Sequence, residues 1–192
     1  MLREKLQNYQ VILASASPRR HQFLKELDLD FTIEIREVEE VYPQELKGSE
    51  ITDFLADLKS KAFTDLKEKE LLITSDTIVW LDNKALGKPK NPEEAFNMLR
   101  ALSGKKHDVI SSISIKGKHF QKIVNDITVV YFKEITDAEI NYYINNYKPF
   151  DKAGSYGIQE WIGLIAIEKI EGSFFNVVGL PVEKLYKELM KL

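Results

Sequence analysis

The order of β-like and helix-like segments constrains the fold of this chain more than any other feature. Residues 11–14 form a short apolar run typical of a buried strand. Helix-start signals follow at once, because Ser17 can cap a helix and Pro18 suits its first position. Farther along, the two kinds of segment mix without strict alternation. This order predicts a mixed β-sheet with helices packed on it, an α/β fold that a stricter convention classes as α+β.

Local patterns predict most of the remaining elements. A helical stripe covers residues 51–66, and Asn91 with Pro92 opens a helix that ends at Gly104. Thr136 begins a capping box, and a last helix starts at Pro181. β-like runs cover residues 31–38, 71–81, 109–115, 123–132, 162–170 and 174–178. Since neither a repeat nor a linker interrupts them, residues 1–192 are predicted to form a single domain.

Composition excludes several classes of chemistry. The chain has no cysteine, so disulfides, thiolate catalysis and cysteine-built zinc sites are impossible. With only three histidines, a metal site is expected to use carboxylates, which favours Mg²⁺ or Mn²⁺. The net charge of -3 argues against a nucleic-acid-binding protein. Neither a signal peptide nor a membrane span is evident, which predicts a cytoplasmic protein without a membrane partner.

The first candidate site lies where the first strand meets the first long helix. Ser15 and Ser17 supply hydroxyls, and Arg19 with Arg20 supplies two guanidinium groups in the first helical turn. Cations are electrostatically misplaced at a helix N-terminus unless an anion such as phosphate lies between them. The segment therefore indicates either a phosphate site or a capped helix with two solvated arginines.

The second candidate site is Asp76, in the middle of an apolar strand pattern. A buried acid is costly unless it is paired, hydrogen-bonded or bound to metal. Asp76 could hold a metal with Glu40 or activate water, or it could lie at a strand end in solvent. Lys61 and Lys88 could add positive charge or be surface residues. Gln159 follows a loop with two glycines and has the donor and acceptor needed to read a base edge.

Taken together, these segments resemble the Maf family of nucleotide pyrophosphatases over nearly the whole chain. Any one segment is common, but their joint occurrence in this order is specific. The segments that carry the resemblance are residues 14–20, 61–62, 75–79, 87–89, 102–104, 151–159, 172–173 and 176–181.

The resemblance implies an enzyme that hydrolyses a nucleoside triphosphate to the monophosphate and pyrophosphate with a divalent metal. It also implies a mixed sheet with helical lobes around a central substrate cleft, and a homodimer. Asp76 matches the family's proton acceptor and Glu40 an acid near the metal. The positions that match phosphate contacts are Ser15, Ser17, Arg19, Arg20, Lys61 and Lys88.

Base selectivity is associated with the positions of Arg19, Thr77 and Gln159. The form of the loop before Gln159 resembles the branch that acts on dTTP and UTP, with 5-modified uridine triphosphates as further expected substrates. Glu160 and Trp161 follow where the family pattern predicts a small residue, so the rim of the base pocket is expected to differ.

Two other classes of function remain open from the sequence. One is a regulatory module in cell division that binds a nucleotide without turnover. The other is a phosphatase that releases orthophosphate. The products formed from UTP and Mg²⁺ separate all three possibilities.

Overall fold

The computed structural model describes all 192 residues of the chain. In chain order, its elements are α1 (Leu2–Lys5), β1 (Gln10–Leu13), α2 (Pro18–Glu26), β2 (Phe31–Ile33), α3 (Ser49–Lys61), β3 (Glu70–Leu81), β4 (Lys84–Leu86), α4 (Pro92–Leu102), β5 (Lys106–Lys116), β6 (Gln121–Phe132), α5 (Asp137–Tyr147), a 3-10 turn (Ala153–Ser155), α6 (Trp161–Ala166), β7 (Ile167–Glu171), α7 (Phe174–Val178) and α8 (Val182–Leu189). None of the helices combines the length and apolarity needed to cross a membrane.

The strands form a mixed sheet in the order β2-β1-β3-β5-β6-β7, with β4 paired to β3. Strand β1 runs parallel to β2 and to β3, whereas β3 with β4 and β6 with β7 are antiparallel pairs. The predicted α/β fold with a mixed sheet is therefore confirmed.

The chain divides into two compact units. The first unit comprises Met1–Asp76, Ser111–Asp126 and Gly179–Leu192, and the second comprises Thr77–Ile110 and Ile127–Val178. Strands β3, β5 and β6 each contribute residues to both units. Neither unit is therefore a continuous stretch of chain.

In the first unit, α3 lies against the sheet through both apolar and polar contacts. Phe63, just after α3, packs with Ile12 of β1 and Leu72 of β3 in one buried cluster. The ammonium of Lys116 donates to the carbonyls of Ser60 (3.0 Å) and Phe63 (2.9 Å). A cation on the last carbonyls stabilises a helix end. Helix α3 accordingly ends at Lys61, earlier than the stripe to residue 66 predicts.

The second unit has an apolar core built between α4, α5, α6 and the adjoining strands. The helix starts predicted for α4 and α5 are confirmed. The side chain of Asn91 accepts from the Glu94 amide, and Thr136 and Glu139 form the expected capping box. Asp82 and Asn83 both have positive φ in the two-residue turn between β3 and β4, as a tight hairpin requires.

Three strand predictions were wrong or incomplete. Residues 31–38 were predicted as one β-like run, but β2 ends at Ile33. Residues 162–170 were predicted as one strand, but α6 occupies their first half and only β7 is extended. Residues 174–178 were also predicted as a strand and instead form α7. In α7, the Asn176 amide donates to the Val109 carbonyl and the Thr128 hydroxyl, both at 3.0 Å, which anchors the helix to β5 and β6.

Candidate active site

The junction of β1 and α2 presents hydroxyls and guanidinium groups at a helix N-terminus. Ser17 occupies the capping position, but its side chain makes no capping bond, and the Ser15 hydroxyl instead accepts from the Ser17 amide at 3.2 Å. The first turn of α2 carries Arg19 and Arg20 and has no acidic residue. Helix amides, the helix dipole and two cations thus combine into a positive end that favours an anion.

Arg20 connects this junction to two other segments of the first unit. Its Nε donates to the Gly179 carbonyl at 2.8 Å, and its Nη1 donates to the Ser75 carbonyl at 2.9 Å and to the Ser15 hydroxyl at 3.3 Å. Burial lowers the pKa of Arg20, and the nearby Asp76 opposes that shift. The guanidinium thereby fixes the backbone immediately before Asp76.

Asp76 lies within β3 and is only 7% exposed. On the same face of the strand, the Thr74 hydroxyl donates to the Ala56 carbonyl of α3 at 2.6 Å, so the helix is held against this part of β3. Lys59 comes three residues after Ala56 and therefore lies on the same side of α3. Its ammonium is 2.7 Å from Asp76 Oδ1 and 3.2 Å from Glu40 Oε2.

Lys59, rather than the predicted phosphate contact Lys61, is the lysine of α3 that lies beside Asp76. The Lys59 side chain is 17% exposed, whereas that of Lys61 is 68% exposed and pairs with Asp57, four residues earlier on the same helix. Two residues turn a helix by roughly 200°, so the two lysines point in nearly opposite directions. The helical spacing of the sequence indicates this inward position, because Lys59 follows the buried Ile51 and Leu55 at four-residue intervals.

Asp76 and Glu40 converge on one cationic group, the Lys59 ammonium. The chain has no cluster of three or more acidic, histidine or cysteine side chains that could enclose a metal. Mg²⁺ is commonly held by one or two carboxylates together with water and substrate phosphates. The pair therefore fits a hard divalent cation whose remaining ligands come from a phosphorylated substrate and water.

The second unit carries Thr77, Lys88 and Gln159. Thr77 directly follows Asp76 in β3 and is half-buried, whereas Lys88 and Gln159 are exposed. The Gly154 amide donates to the Gly87 carbonyl at 3.0 Å, which brings the loop before Gln159 to the segment that carries Lys88. The structure thus joins these two segments, which are far apart in sequence.

Gly154 allows the loop to lie close to β3. Its φ is +65°, and a Cβ added there would lie 2.7 Å from Val79 Cγ2. Two residues later, Tyr156 is buried between His107 and Phe132, and its hydroxyl is 2.7 Å from His107 Nε2. The loop is therefore anchored at two positions before Gly157.

Comparison with known proteins gives a consistent result over the whole chain. Residues 10–192 match the family model described as Maf-like protein. A dTTP/UTP pyrophosphatase of Flavobacterium johnsoniae is 58% identical, with 100% of each chain covered. A dTTP/UTP pyrophosphatase of Bacteroides fragilis is 47% identical, covering 97% of this chain and 98% of the relative.

Similarity to a solved structure extends the comparison to the fold. The structure of a HAM1 protein from Coxiella burnetii has a TM-score of 0.52 and 15% sequence identity, covering 96% of this chain and 100% of that one. At this low identity the likeness concerns the fold alone.

Proposed function

The chain belongs to the Maf-like family, and on that basis we propose that it hydrolyses dTTP and UTP to the nucleoside monophosphate and pyrophosphate. The observation that carries this proposal is the end-to-end identity of 47–58% with relatives named dTTP/UTP pyrophosphatase. Since the family match spans both compact units, we treat residues 1–192 as one functional domain.

In the proposed reaction, the first unit binds the triphosphate and cleaves it. The N-terminus of α2, Arg19 and the hydroxyls of Ser15 and Ser17 hold phosphate oxygens, as expected of helix amides and guanidinium groups. Arg20 fixes the Ser15 hydroxyl and the backbone before Asp76, because it donates to that hydroxyl and to the Ser75 carbonyl. Binding the charged chain here leaves its reactive phosphorus facing the carboxylate of β3.

Asp76 is the proposed proton acceptor for the attacking water. A carboxylate that takes the proton makes water a better nucleophile as it attacks in line with the departing pyrophosphate. Asp76 and Glu40 together are the residues that would hold a divalent cation, Mg²⁺ or Mn²⁺. Such a cation supplies charge neutralisation on the phosphate oxygens when bound.

Lys59 is the lysine we assign beside Asp76, and Lys88 is a further proposed phosphate contact. An ammonium already within 2.7 Å of Asp76 adds positive charge where a polyphosphate is handled. Lys61, whose position matches a phosphate contact in the family, pairs with Asp57 in this structure, and its role in binding phosphate stays a prediction.

Base selectivity is assigned to Gln159, with Thr77 and Arg19. The exposed amide of Gln159 offers one donor and one acceptor group to a base edge. We expect dTTP, UTP and 5-modified uridine triphosphates to be hydrolysed faster than CTP or purine nucleotides.

The cytoplasm, where such nucleotides are present, is the proposed compartment, and family membership also suggests a homodimer.

A product analysis tests the reaction. The protein is incubated with UTP and Mg²⁺, and the monophosphate, diphosphate, pyrophosphate and orthophosphate are resolved. Equal amounts of UMP and pyrophosphate are expected. UDP with orthophosphate would identify a phosphatase instead, and nucleotide binding without turnover would favour a regulatory module.

A further inference from the structure

The loop that carries Gln159 contains a buried lysine that pairs with two carboxylates. Lys152 is 7% exposed, and its ammonium is 2.7 Å from Asp151 Oδ1 and 3.0 Å from Glu160 Oε1. Burying a lysine and a carboxylate costs desolvation that their attraction often fails to recover, so such a pair is weak evidence for a stabilising role. Because Glu160 directly follows Gln159, the ion pair is placed to fix the backbone that carries Gln159.

Tyr143 of α5 links the second oxygen of the same carboxylate to the loop backbone. Its hydroxyl donates to Glu160 Oε2 and accepts from the Gly157 amide at 3.1 Å. Burial, and then the Glu160 carboxylate, raises the pKa of Tyr143 far above its usual value, so the hydroxyl remains a donor. Both oxygens of Glu160 are therefore engaged, one by Lys152 and one by Tyr143.

The backbone around Gln159 is held from both sides. The Glu160 amide donates to the Gly157 carbonyl at 3.0 Å, which closes a turn over the intervening residues. Ile158 is buried, while Gln159 between its two neighbours is exposed. Gln159 is thus an exposed side chain on an immobilised segment of backbone.

Gly157 shows how closely the parts of this network pack. A Cβ added at Gly157 would lie 3.0 Å from Gln159 Nε2, 3.0 Å from Glu160 Cδ and 3.1 Å from Lys152 Cε. The Gln159 amide, the Glu160 carboxylate and the Lys152 side chain therefore all border the space beside the Gly157 Cα. A shift of Glu160 or Lys152 would change the surroundings of that amide.

Fixing this amide matters for choosing between pyrimidine bases. An unrestrained glutamine can exchange the positions of its oxygen and its NH₂ group by rotating its amide. It could then satisfy either the acceptor at position 4 of uracil or the amino group at the same position of cytosine. Discrimination therefore requires an amide held in one orientation.

We propose that Tyr143, Lys152 and Glu160 are positioning residues that hold the Gln159 amide in the orientation favouring uracil and thymine over cytosine. This inference rests on the base-reading role of Gln159 in the proposed function. Glu160, where the family pattern predicts a small residue, is the central member of the network. None of the three needs to touch the substrate.

The test compares kcat/KM for UTP and CTP and reports their ratio. Tyr143→Phe removes one hydroxyl and keeps the ring. We expect the UTP-to-CTP ratio to fall about three- to tenfold, the range for residues that act through others, while kcat for UTP stays close to wild type. The matched control is Tyr142→Phe, on the same helix at 49% exposure, which should leave the ratio unchanged.

A double-substitution cycle that combines Tyr143→Phe with Gln159→Ala tests the positioning role of Tyr143 separately from the base-reading role of Gln159. Gln159→Ala alone should lower the ratio, and adding Tyr143→Phe should lower it no further, because residues acting through one another are not additive. A wild-type ratio near one, or a Gln159→Ala ratio equal to wild type, would refute the base-reading role and this inference together.

Other outcomes would refute the positioning role of Tyr143, Lys152 and Glu160 but leave the base-reading role of Gln159 intact. If Gln159→Ala lowers the ratio but a folded Tyr143→Phe variant does not, Tyr143 does not orient the amide. Equal losses of kcat/KM for both nucleotides would indicate a merely structural role, as would additive effects in the cycle. Should Tyr143→Phe fold poorly, Glu160→Gln, which keeps the side-chain shape but removes the charge facing Lys152, is measured in the same way with the same expected fall.

Discussion

A lysine ammonium neutralises Asp76 before any substrate is present. The sequence showed that an acid in an apolar strand has to be paired, hydrogen-bonded or bound to metal, and Lys59 at 2.7 Å supplies the pairing. Because Glu40 shares the same ammonium, a divalent cation held by both carboxylates has to compete with Lys59. At the scale of residues, the Lys59 ammonium and the proposed divalent cation would compete for the same two carboxylates.

Asp76→Asn tests the role of the carboxylate. We expect kcat/KM for UTP to fall at least about a hundredfold, the lower range for loss of a general base. The free energy of unfolding should fall by about 1 to 3 kcal/mol, since Asn keeps an acceptor for Lys59 but loses the charge. Steady-state kinetics and denaturant unfolding on one preparation measure both. A destabilised variant with full activity would remove Asp76 from the mechanism.

Lys59→Met and Lys61→Met form a matched pair on one helix. Replacing Lys59 removes the cation beside Asp76, and we expect kcat/KM to fall about ten- to a hundredfold, as for loss of a hydrogen bond to a charged group. Lys61 pairs only at the exposed surface, so its replacement should change activity less than about twofold. The reverse order of effects would show that the lysine of the first unit was assigned wrongly.

Among the elements, α6 and α7 show where local sequence patterns fail. Residues 162–170 and 174–178 are rich in aromatic and β-branched side chains, which favours strands in isolation. Tertiary contacts override that preference. The Asn176 amide binds acceptors on β5 and β6, and Gly163 lets α6 approach the Ile158 carbonyl closely. The acceptors for Asn176 lie 67 and 48 residues away in the sequence, so local patterns cannot identify them.

Gly163→Ala tests the close approach of α6. A Cβ at Gly163 would lie 1.8 Å from the Ile158 carbonyl oxygen, so the helix or the loop has to move. We expect the free energy of unfolding to fall by at least about 2 kcal/mol. Gly87→Ala is the control, because no atom lies within 4 Å of its added Cβ. Equal stability of the two variants, measured by denaturant unfolding, would contradict this packing.

The parts of the site that the sequence predicted are those encoded by neighbouring residues. The Ser15 to Arg20 junction and the strand position of Asp76 follow from signals within a few residues. Glu160 and Lys152 were not singled out as a pair, because their contact depends on the folded loop and on Tyr143 of α5. Helical spacing also identifies Lys59 as a candidate, because it continues the buried positions of Ile51 and Leu55.

For the molecule as a whole, His107 makes stability depend on pH. Burial lowers the pKa of His107 from 6.5 to about 4, and its Nδ1 has no hydrogen-bond partner. The folded protein thus keeps the imidazole neutral, whereas the unfolded chain protonates it below about pH 6.5. This contribution to stability is complete above pH 6.5 and is lost as the pH falls toward 4.

His107→Gln isolates that contribution, because glutamine can still bond to the Tyr156 hydroxyl but does not titrate in this range. Between pH 6.5 and 4, the wild type should lose up to about 3 kcal/mol more unfolding free energy than the variant. Urea unfolding at several pH values measures the two slopes. Parallel pH profiles would show that His107 is not kept neutral by the fold.

The discontinuous first unit has a consequence for the timing of synthesis. Arg20 finds an acceptor at Gly179, 159 residues later, so this bond cannot form until the intervening residues have been made. At roughly five to twenty residues per second, the arginine emerges about ten to thirty seconds before its partner. All residues of the second unit, by contrast, precede Gly179. A nascent chain that ends before Gly179 would therefore lack the backbone clamp beside Asp76, so translation delays completion of the proposed site until Gly179 has been made.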